Sequence, residues 1–485
     1  MDPSKRMLNP VSLGQCVSCK RARITYMCSG TGQEPLQKKR KTRGEPKNLK
    51  VVDWSTLDKD VLNIILGFLS FQDARNLSLT DKETLRKIRK NYMLNTIWKI
   101  NPVVFFQDIN GNGVWKRNIR HIRLVDDFIQ PLDLRLVPKL TSLDLGSDFI
   151  QPLKLEHVRN LTSLHLGHRF NQPLKLEHVR NLTSLHLGIW FNQELNLERV
   201  PNLTSLHLGF QFNQELKLEH VTKLTTLHLG GRFNQPLNLT RVSNLTSLDL
   251  GYDFNQPLKL EHVPKLTSLN LGGRFKQPLN LTRVPNLTSL NLGVDFRQPL
   301  KLEHVHNLMT LHLARRFNQE LKLDHVSKLT SLHLGWNFNQ PLNLEHVRNL
   351  TTLHLGYHFN QPLELEHVTN LTSLHLGHRF NQPLKLEHVR NLMTLHLGGL
   401  LNQDLGGLLN QDLRGLFNQE LKLEHVPKLT YLHLGHSFNQ PLKLEPVLNL
   451  TCLHLGWDFN QPIRVRNGVF VGYTRPNQHD LVTFY

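Results

Sequence analysis

Histidine is the side chain best placed to do chemistry in this sequence. One row holds His165, His186, His207, His228, His312, His333, His354, His375 and His396. A second holds His157, His178, His220, His262, His304, His325, His346, His367 and His388. Imidazole ligates zinc, but a zinc site needs about four ligands converging on one point. A strand ladder instead sets side chains in a line, with no Cys or Asp to close a site, so no metal is expected. Charging such a row would press like charges together, so the fold is expected to loosen below about pH 6. Ser163 stands two residues before His165, and these are the residue types of nucleophilic catalysis. Both would lie on an open surface without a pocket, oxyanion donors or a unique acid, so no enzymatic activity is expected. Cys16-x-x-Cys19 with Cys28 offers three zinc ligands, but the first histidine is His121, and a closed four-ligand site is not expected. No phosphate-cradling loop, nucleophile elbow or metalloprotease helix occurs, and no cofactor is implied.

The elements that position these rows follow from a repeat. Phenylalanine recurs every 21 residues from Phe128 to Phe380, Leu401 takes the next place, and the period resumes at Phe417, Phe438 and Phe459. A representative unit, HRFNQPLKLEHVRNLTSLHLG at 168–188, returns at 378–398 with two differences. Each unit carries two alternating runs, Leu161-x-x-Leu164-x-Leu166 and Leu174-x-Leu176. Alternation puts the leucines on one face. No unit can bury them alone, so stacked units must share a continuous core of Leu, Phe and Val columns. The unit length and the L-x-x-L-x-L spacing match the leucine-rich-repeat signature. The expectation is a leucine-rich-repeat-like β-solenoid of about 17 turns with a 21-residue period. At about 4.8 Å per strand it forms a rod or arc roughly 80 Å long. Gly167 and its equivalents should mark a turn after the first strand. Asn171, Asn192, Asn213 and Asn234 should form a buried ladder satisfying backbone groups, imperfect where Ile129, Ile150, Lys276 and Arg297 break it. Asn-Leu-Thr at Asn160, Asn181, Asn202 and Asn244 matches the glycosylation sequon only because the repeat recurs. The tandem octets GGLLNQDL at 398–405 and 406–413, followed by RGLFNQEL at 414–421, should bulge out or make one distorted turn; a binding loop is the alternative.

The two residues before each phenylalanine vary most, while their neighbours hardly change. Aromatics and arginines there are the residue types of binding hot spots. Trp190, Phe210, Arg232, Tyr252, Arg316, Trp336, Tyr357 and Trp457 are therefore the candidate target contacts. Neutral drift at exposed corners is the competing reading.

Residues 51–99 differ in character. Val61, Leu62, Ile65, Phe68 and Leu69 have amphipathic-helix spacing, and three capping-box patterns predict three short helices. LDKDVLNIILGFLSFQDARNLSLTDK, from Leu57 to Lys82, resembles an F-box, with Leu57-Asp58 where that family usually has Leu-Pro. The FNQPL strings resemble FNIP repeats. An F-box ahead of FNIP repeats is similar to proteins of amoeba-infecting giant viruses and of social amoebae. The resemblance implies a substrate receptor of a cullin-RING ubiquitin ligase. The F-box would bind the Skp-type adaptor through Leu57, Leu62, Ile65, Leu66, Leu69 and Leu77, and the repeats would hold a protein target. A private helical core for those six residues is the alternative.

Charge and composition bound the rest. Lys+Arg exceed Asp+Glu by 58 to 39, giving +19, and +9 of this lies in residues 1–50. That stretch reads as a disordered basic tail. Lys38, Lys39, Arg40 and Lys41 resemble a nuclear-import cluster, or simply a solvated tail that binds acidic surfaces and non-specific nucleic acid. Four cysteines exclude a disulfide scaffold, and the longest apolar run, at 61–69, is too short to span a bilayer. An intracellular chain is expected: in the host cytoplasm if it is viral, with the nucleus open. The expected organisation is tail (1–50), helical module (51–99), connector and first cap (100–127), repeats (128–462, irregular at 398–421) and second cap (463–485).

Overall fold

The computed structural model describes residues 98–100, 119–398 and 415–485. The tail, its Lys38–Lys41 cluster and cysteines, the irregular residues 399–414 and the segment from Leu57 to Leu77 lie outside them.

Strand β1 (Trp98–Ile100) pairs in parallel with β2 (His121–Leu124), and β2 with β3 (Ser142–Asp144). One three-residue strand per turn then recurs to β17 (Cys452–His454). After β18 (Ile463–Val465), β19 (Phe470–Gly472) ends the ladder against β17. Eighteen of the described strands thus form one parallel sheet, in keeping with about 17 turns, and β18 pairs with β20 (Val482–Phe484) outside it. The sheet starts at Trp98, within the last residues assigned to the helical module.

Pairing is in register throughout: Leu185 opposes Leu206, and His186 opposes His207. A slip of one residue would move every leucine to the solvent side. Leu161, Leu164 and Leu166 are fully buried, as are Val158 and Phe170, and the same columns run the length of the molecule. The phenylalanines stack at 6.0–6.3 Å. Phe417 stacks directly on Phe380, and β15 (Thr394–His396) pairs with β16 (Tyr431–His433). Leu401, which the period assigned to the next place in this column, lies outside the described residues.

Only the first leucine run forms strands. Leu174 and Leu176 are buried, yet residues 172–176 make no ladder. The reason is curvature. Successive rings on the strand face, such as His333 and His354, lie 4.1 Å apart. The phenylalanine rings are 6.2 Å apart at Phe338 and Phe359. The turns converge toward the sheet and splay away from it, so the sheet lines the inner side of an arc. Beyond the phenylalanines the backbones are too far apart for a ladder, which needs about 4.8 Å. Pro173 at this corner also lacks a donor.

The asparagine ladder exists, but it is partly exposed rather than buried. The backbone N–H of Asn192 donates to Asn171 Oδ1 at 2.9 Å, and Asn213 to Asn192 likewise. It continues to Lys276, whose N–H reaches Asn255 Oδ1. Lys276 and Arg297 offer no Oδ1 to the next turn, and the series resumes from Asn318 to Asn339. A threonine row runs alongside, with Thr183 Oγ1 donating to the Thr162 carbonyl at 3.0 Å.

The glycine column is set by stacking more than by turning. A Cβ on Gly356 would lie 1.9 Å from the Gly335 carbonyl oxygen. Among the described residues of this column, Gly251, Gly272, Gly293 and Gly398 have positive φ. The first three follow Asp249, Asn270 and Asn291, which replace the strand histidine. Their side-chain oxygens curl back to accept from the glycine N–H at 2.9–3.2 Å. Ala314 stands in the same column after the last of these reoriented turns. There the Gly293 carbonyl is turned to accept from the Arg315 N–H.

The second cap is built on Gln478, fully buried in the 3-10 helix Pro476–Leu481. Its Oε1 accepts from the Thr474 and Arg475 N–H groups, and its Nε2 donates to the carbonyls of Gly456 and Phe459. These carbonyls belong to the last repeat and have no further turn to meet.

Candidate functional site

Between the pinned glycine and the pinned phenylalanine of each turn lie two residues that the core does not claim. The structure sorts the candidate contacts into two adjacent columns. Phe210, Tyr252, Trp336, Tyr357 and Trp457 directly follow the glycine; Trp190, Arg232 and Arg316 directly precede the phenylalanine. Trp190, Phe210, Tyr252 and Trp457 are about half exposed. Arg232 and Arg316 are exposed, and Trp336 and Tyr357 are partly covered.

The cover comes from their own column. Arg315 lies 4.6 Å over Trp336, Trp336 stacks on Tyr357 at 4.2 Å, and Tyr357 stacks on His378 at 4.3 Å. Four consecutive turns thus present a continuous guanidinium and aromatic stack. Arg315 belongs to the variable pair Arg315-Arg316 of the predicted strip, whereas His378 and the stacking of the four residues do not emerge from reading turn by turn. Reading every twenty-first residue as a spatial neighbour would have found them. Elsewhere rings lie over glycine: a Cβ at Gly231 would fall 2.3 Å from the Phe210 ring, and one at Gly273 equally close to Tyr252. Trp457 faces His436 at 6.1 Å and Arg475 at 5.8 Å.

The column before the phenylalanine is largely charged. Arg274 pairs with Asp253 at 3.2 Å, and Arg316 with Asp295 at 3.0 Å. The sequence-predicted contacts therefore share one strip, but in separate groups along it: Trp190 and Phe210, then Arg232 and Tyr252, then the Arg315–His378 stack with Arg316, then Trp457.

The strand histidines face the inner side of the arc. They stack at 4.0–4.3 Å from His186 to His228 and from His312 to His396. Desolvation, then the charge of neighbouring imidazoles, pushes His333 and His354 down to about 3 and His396 to about 2. Burial matters more than the like-charge repulsion expected from the sequence. Ser205 Oγ sits 3.0 Å from His207 Nε2, and Ser373 Oγ 3.0 Å from His375 Nε2, so the Ser/His juxtaposition is present and repeated. The second histidine row lies on the exposed corner beside glutamates, as at His367 and Glu366, 3.0 Å apart. Among the described residues no group of three or more His, Cys, Asp or Glu is arranged to hold a metal ion. Among them, too, no helix is long and apolar enough to cross a membrane.

No family model matches this chain, and no curated protein does. Among solved structures it is similar to CroV588, described as a novel circular LRR protein. The two are 29% identical with a TM-score of 0.53, over 76% of this chain and 66% of CroV588. The chain thus spans just under two thirds of that protein's length. It is also similar to the LRR protein LIC12759 of Leptospira interrogans. That likeness has 17% identity and a TM-score of 0.50, and it covers 81% of this chain and all of the other. In-register parallel strands, a fully buried leucine ladder and these likenesses together make the described residues a leucine-rich-repeat-like solenoid.

Proposed function

We propose that this chain is a non-enzymatic receptor whose repeats hold a protein target. The observation that carries the reading is the strip of variable, exposed aromatic and arginine residues on an otherwise uniform scaffold. The half-buried Arg315–Trp336–Tyr357 stack, closed by the buried His378, is its most ordered part. Large rigid rings and guanidinium groups supply contact area at low entropic cost.

The finer part of the proposal is membership of the F-box and FNIP-repeat proteins, and with it delivery of the target to a cullin-RING ubiquitin ligase. It is supported by the Leu57–Lys82 string. Leu57, Leu62, Ile65, Leu66, Leu69 and Leu77 would face a Skp-type adaptor. The test is co-purification of the full chain with that adaptor, alone and as Leu62→Asp with Ile65→Asp. Binding by the unmutated chain that the double variant loses supports the ligase role. No binding by the unmutated chain overturns it and leaves a repeat scaffold. Adaptor binding without ubiquitination of captured proteins favours a chain that sequesters the adaptor. The alternative of non-specific nucleic-acid binding through the basic tail requires that deleting residues 1–50 abolish retention on nucleic acid.

A further inference from the structure

A groove of about 610 Å³ runs beside the strip, where the asparagine ladder meets the column preceding the phenylalanines. Its floor is unusually one-sided in hydrogen bonding. Asn192, Asn213 and Asn234 each spend Oδ1 on the backbone N–H of the following turn, at 2.8–2.9 Å. A backbone N–H can only donate, so these amides cannot be flipped. Each Oδ1 also accepts weakly from a glutamine of the following turn. Their Nδ2 groups donate to nothing among the described residues, which leaves a row of free NH₂ donors one turn apart.

Arg232 lines the same groove as this row. In the run Arg232–Asp253–Arg274–Asp295–Arg316, both aspartates are claimed by the following arginines, at 3.2 and 3.0 Å. Arg232 has no carboxylate within ion-pairing distance among the described residues. Phe210 and Tyr252, each about half exposed, stand one turn to either side of it. The groove therefore offers one uncommitted guanidinium, a row of amide donors and two flanking apolar platforms. A continuous polyphosphate fits poorly, because it would meet a carboxylate at Asp253 and again at Asp295.

We infer that this groove binds an extended acidic peptide, with one Asp or Glu carboxylate on Arg232 and the asparagine Nδ2 groups. Apolar side chains about two residues to either side would cover Phe210 and Tyr252. Residues two apart on an extended chain share one face and stand about 6.6 Å apart, longer than the turn spacing of about 4.8 Å by less than one residue, so the apolar side chains lean inward onto the two rings. The recognition pattern is apolar-x-acid-x-apolar. This rests on the reading of the strip as a protein-binding surface and specifies its partner chemistry.

The test is panning of a displayed library of random nonapeptides on the full chain. Neither the adaptor nor the segment from Leu57 to Leu77 is involved, so failure of the ligase reading would not affect the result. The expected outcome is enrichment of one acid flanked at two residues by apolar side chains. That enrichment falls to library background on Arg232→Gln, an exposed change that spares the core. Asn213→Asp keeps the acceptor for the Asn234 N–H but removes the donor. It should weaken a synthetic enriched peptide about tenfold or more with unchanged melting. Failure to enrich any peptide overturns the inference, as does enrichment without acidic bias, or a bias that survives Arg232→Gln. A single-stranded 20-mer oligonucleotide that displaces the enriched peptide and itself depends on Arg232 also overturns it, in favour of nucleic acid. None of these results removes the Arg315–His378 stack as a target surface.

Discussion

A neutral imidazole packed face to face between two others is costly to charge. His333 and His354 titrate near 3 in the fold and near 6.5 in the unfolded chain. Between those values the unfolded chain binds more protons, so stability is complete above about pH 6.5 and is lost as pH falls toward 3. Melting followed by circular dichroism should give a lower Tm at pH 5 than at pH 7.5. His354→Asn, a residue type the column already carries at Asn270 and Asn291, should flatten that profile. Asp144 and Asp249 partly offset the lowering of His186 and His207, so the first stack should contribute less than the second. The glycine column offers a second residue-scale test. Gly356→Ala should cost about 1–3 kcal/mol in chemical denaturation through overlap with a backbone carbonyl. Ala314→Gly should cost no more than about 1 kcal/mol. Positions in these columns could be read from the sequence; their causes could not. Glycine suggested a turn because that is its usual use, whereas the clash is with a turn 21 residues away. The histidines suggested mutual repulsion, whereas burial on the inner face, the larger effect, depends on the direction of curvature.

At the scale of elements, the first leucine run became the sheet and the second did not, although both alternate. Periodicity reports which side chains are buried; it is silent on the distance between adjacent backbones. The irregular stretch carries its own lesson. Removing the 16 residues 399–414 would place Phe417 21 residues after Phe380 and restore the period. The flanks are ready to join: a Cβ on Gly398 would be 2.9 Å from Gly415 Cα. Deletion of 399–414 should therefore leave Tm within about 2 °C, as a strain-free loop change does. If those residues instead hold the two halves together, Tm will fall steeply. Gln478→Ala should have the opposite character, because it strands the Thr474 and Arg475 N–H groups and takes one of two donors from the Gly456 carbonyl. A loss of about 2–3 kcal/mol is expected, with hydrogen exchange rising first in β17.

Across the whole molecule, every turn touches mainly its two neighbours, and stability is a sum of turns and interfaces. Phe254→Ala, in the middle, should cost about 3–5 kcal/mol and divide the solenoid into two separately melting parts. Calorimetry would resolve them as two transitions. The asymmetry of charge along the chain has the same modular logic, since +9 of the +19 belongs to residues 1–50 and not to the repeats. The direction of curvature, and with it which side of the arc the sheet occupies, is a property of the assembled stack that no single unit encodes.

In-register pairing has a consequence for heredity. A change of 21 residues leaves every Leu, His and Phe opposite its like, whereas a change of one residue misaligns the turn in which it falls. Units as alike as 168–188 and 378–398 are also templates for unequal recombination in the gene. The allele lengths such a gene can sample without losing the fold are then spaced by whole turns. Each added or lost turn would move the strip's aromatic groups apart or together by one step. Reach toward a large partner would thus be inherited as a count.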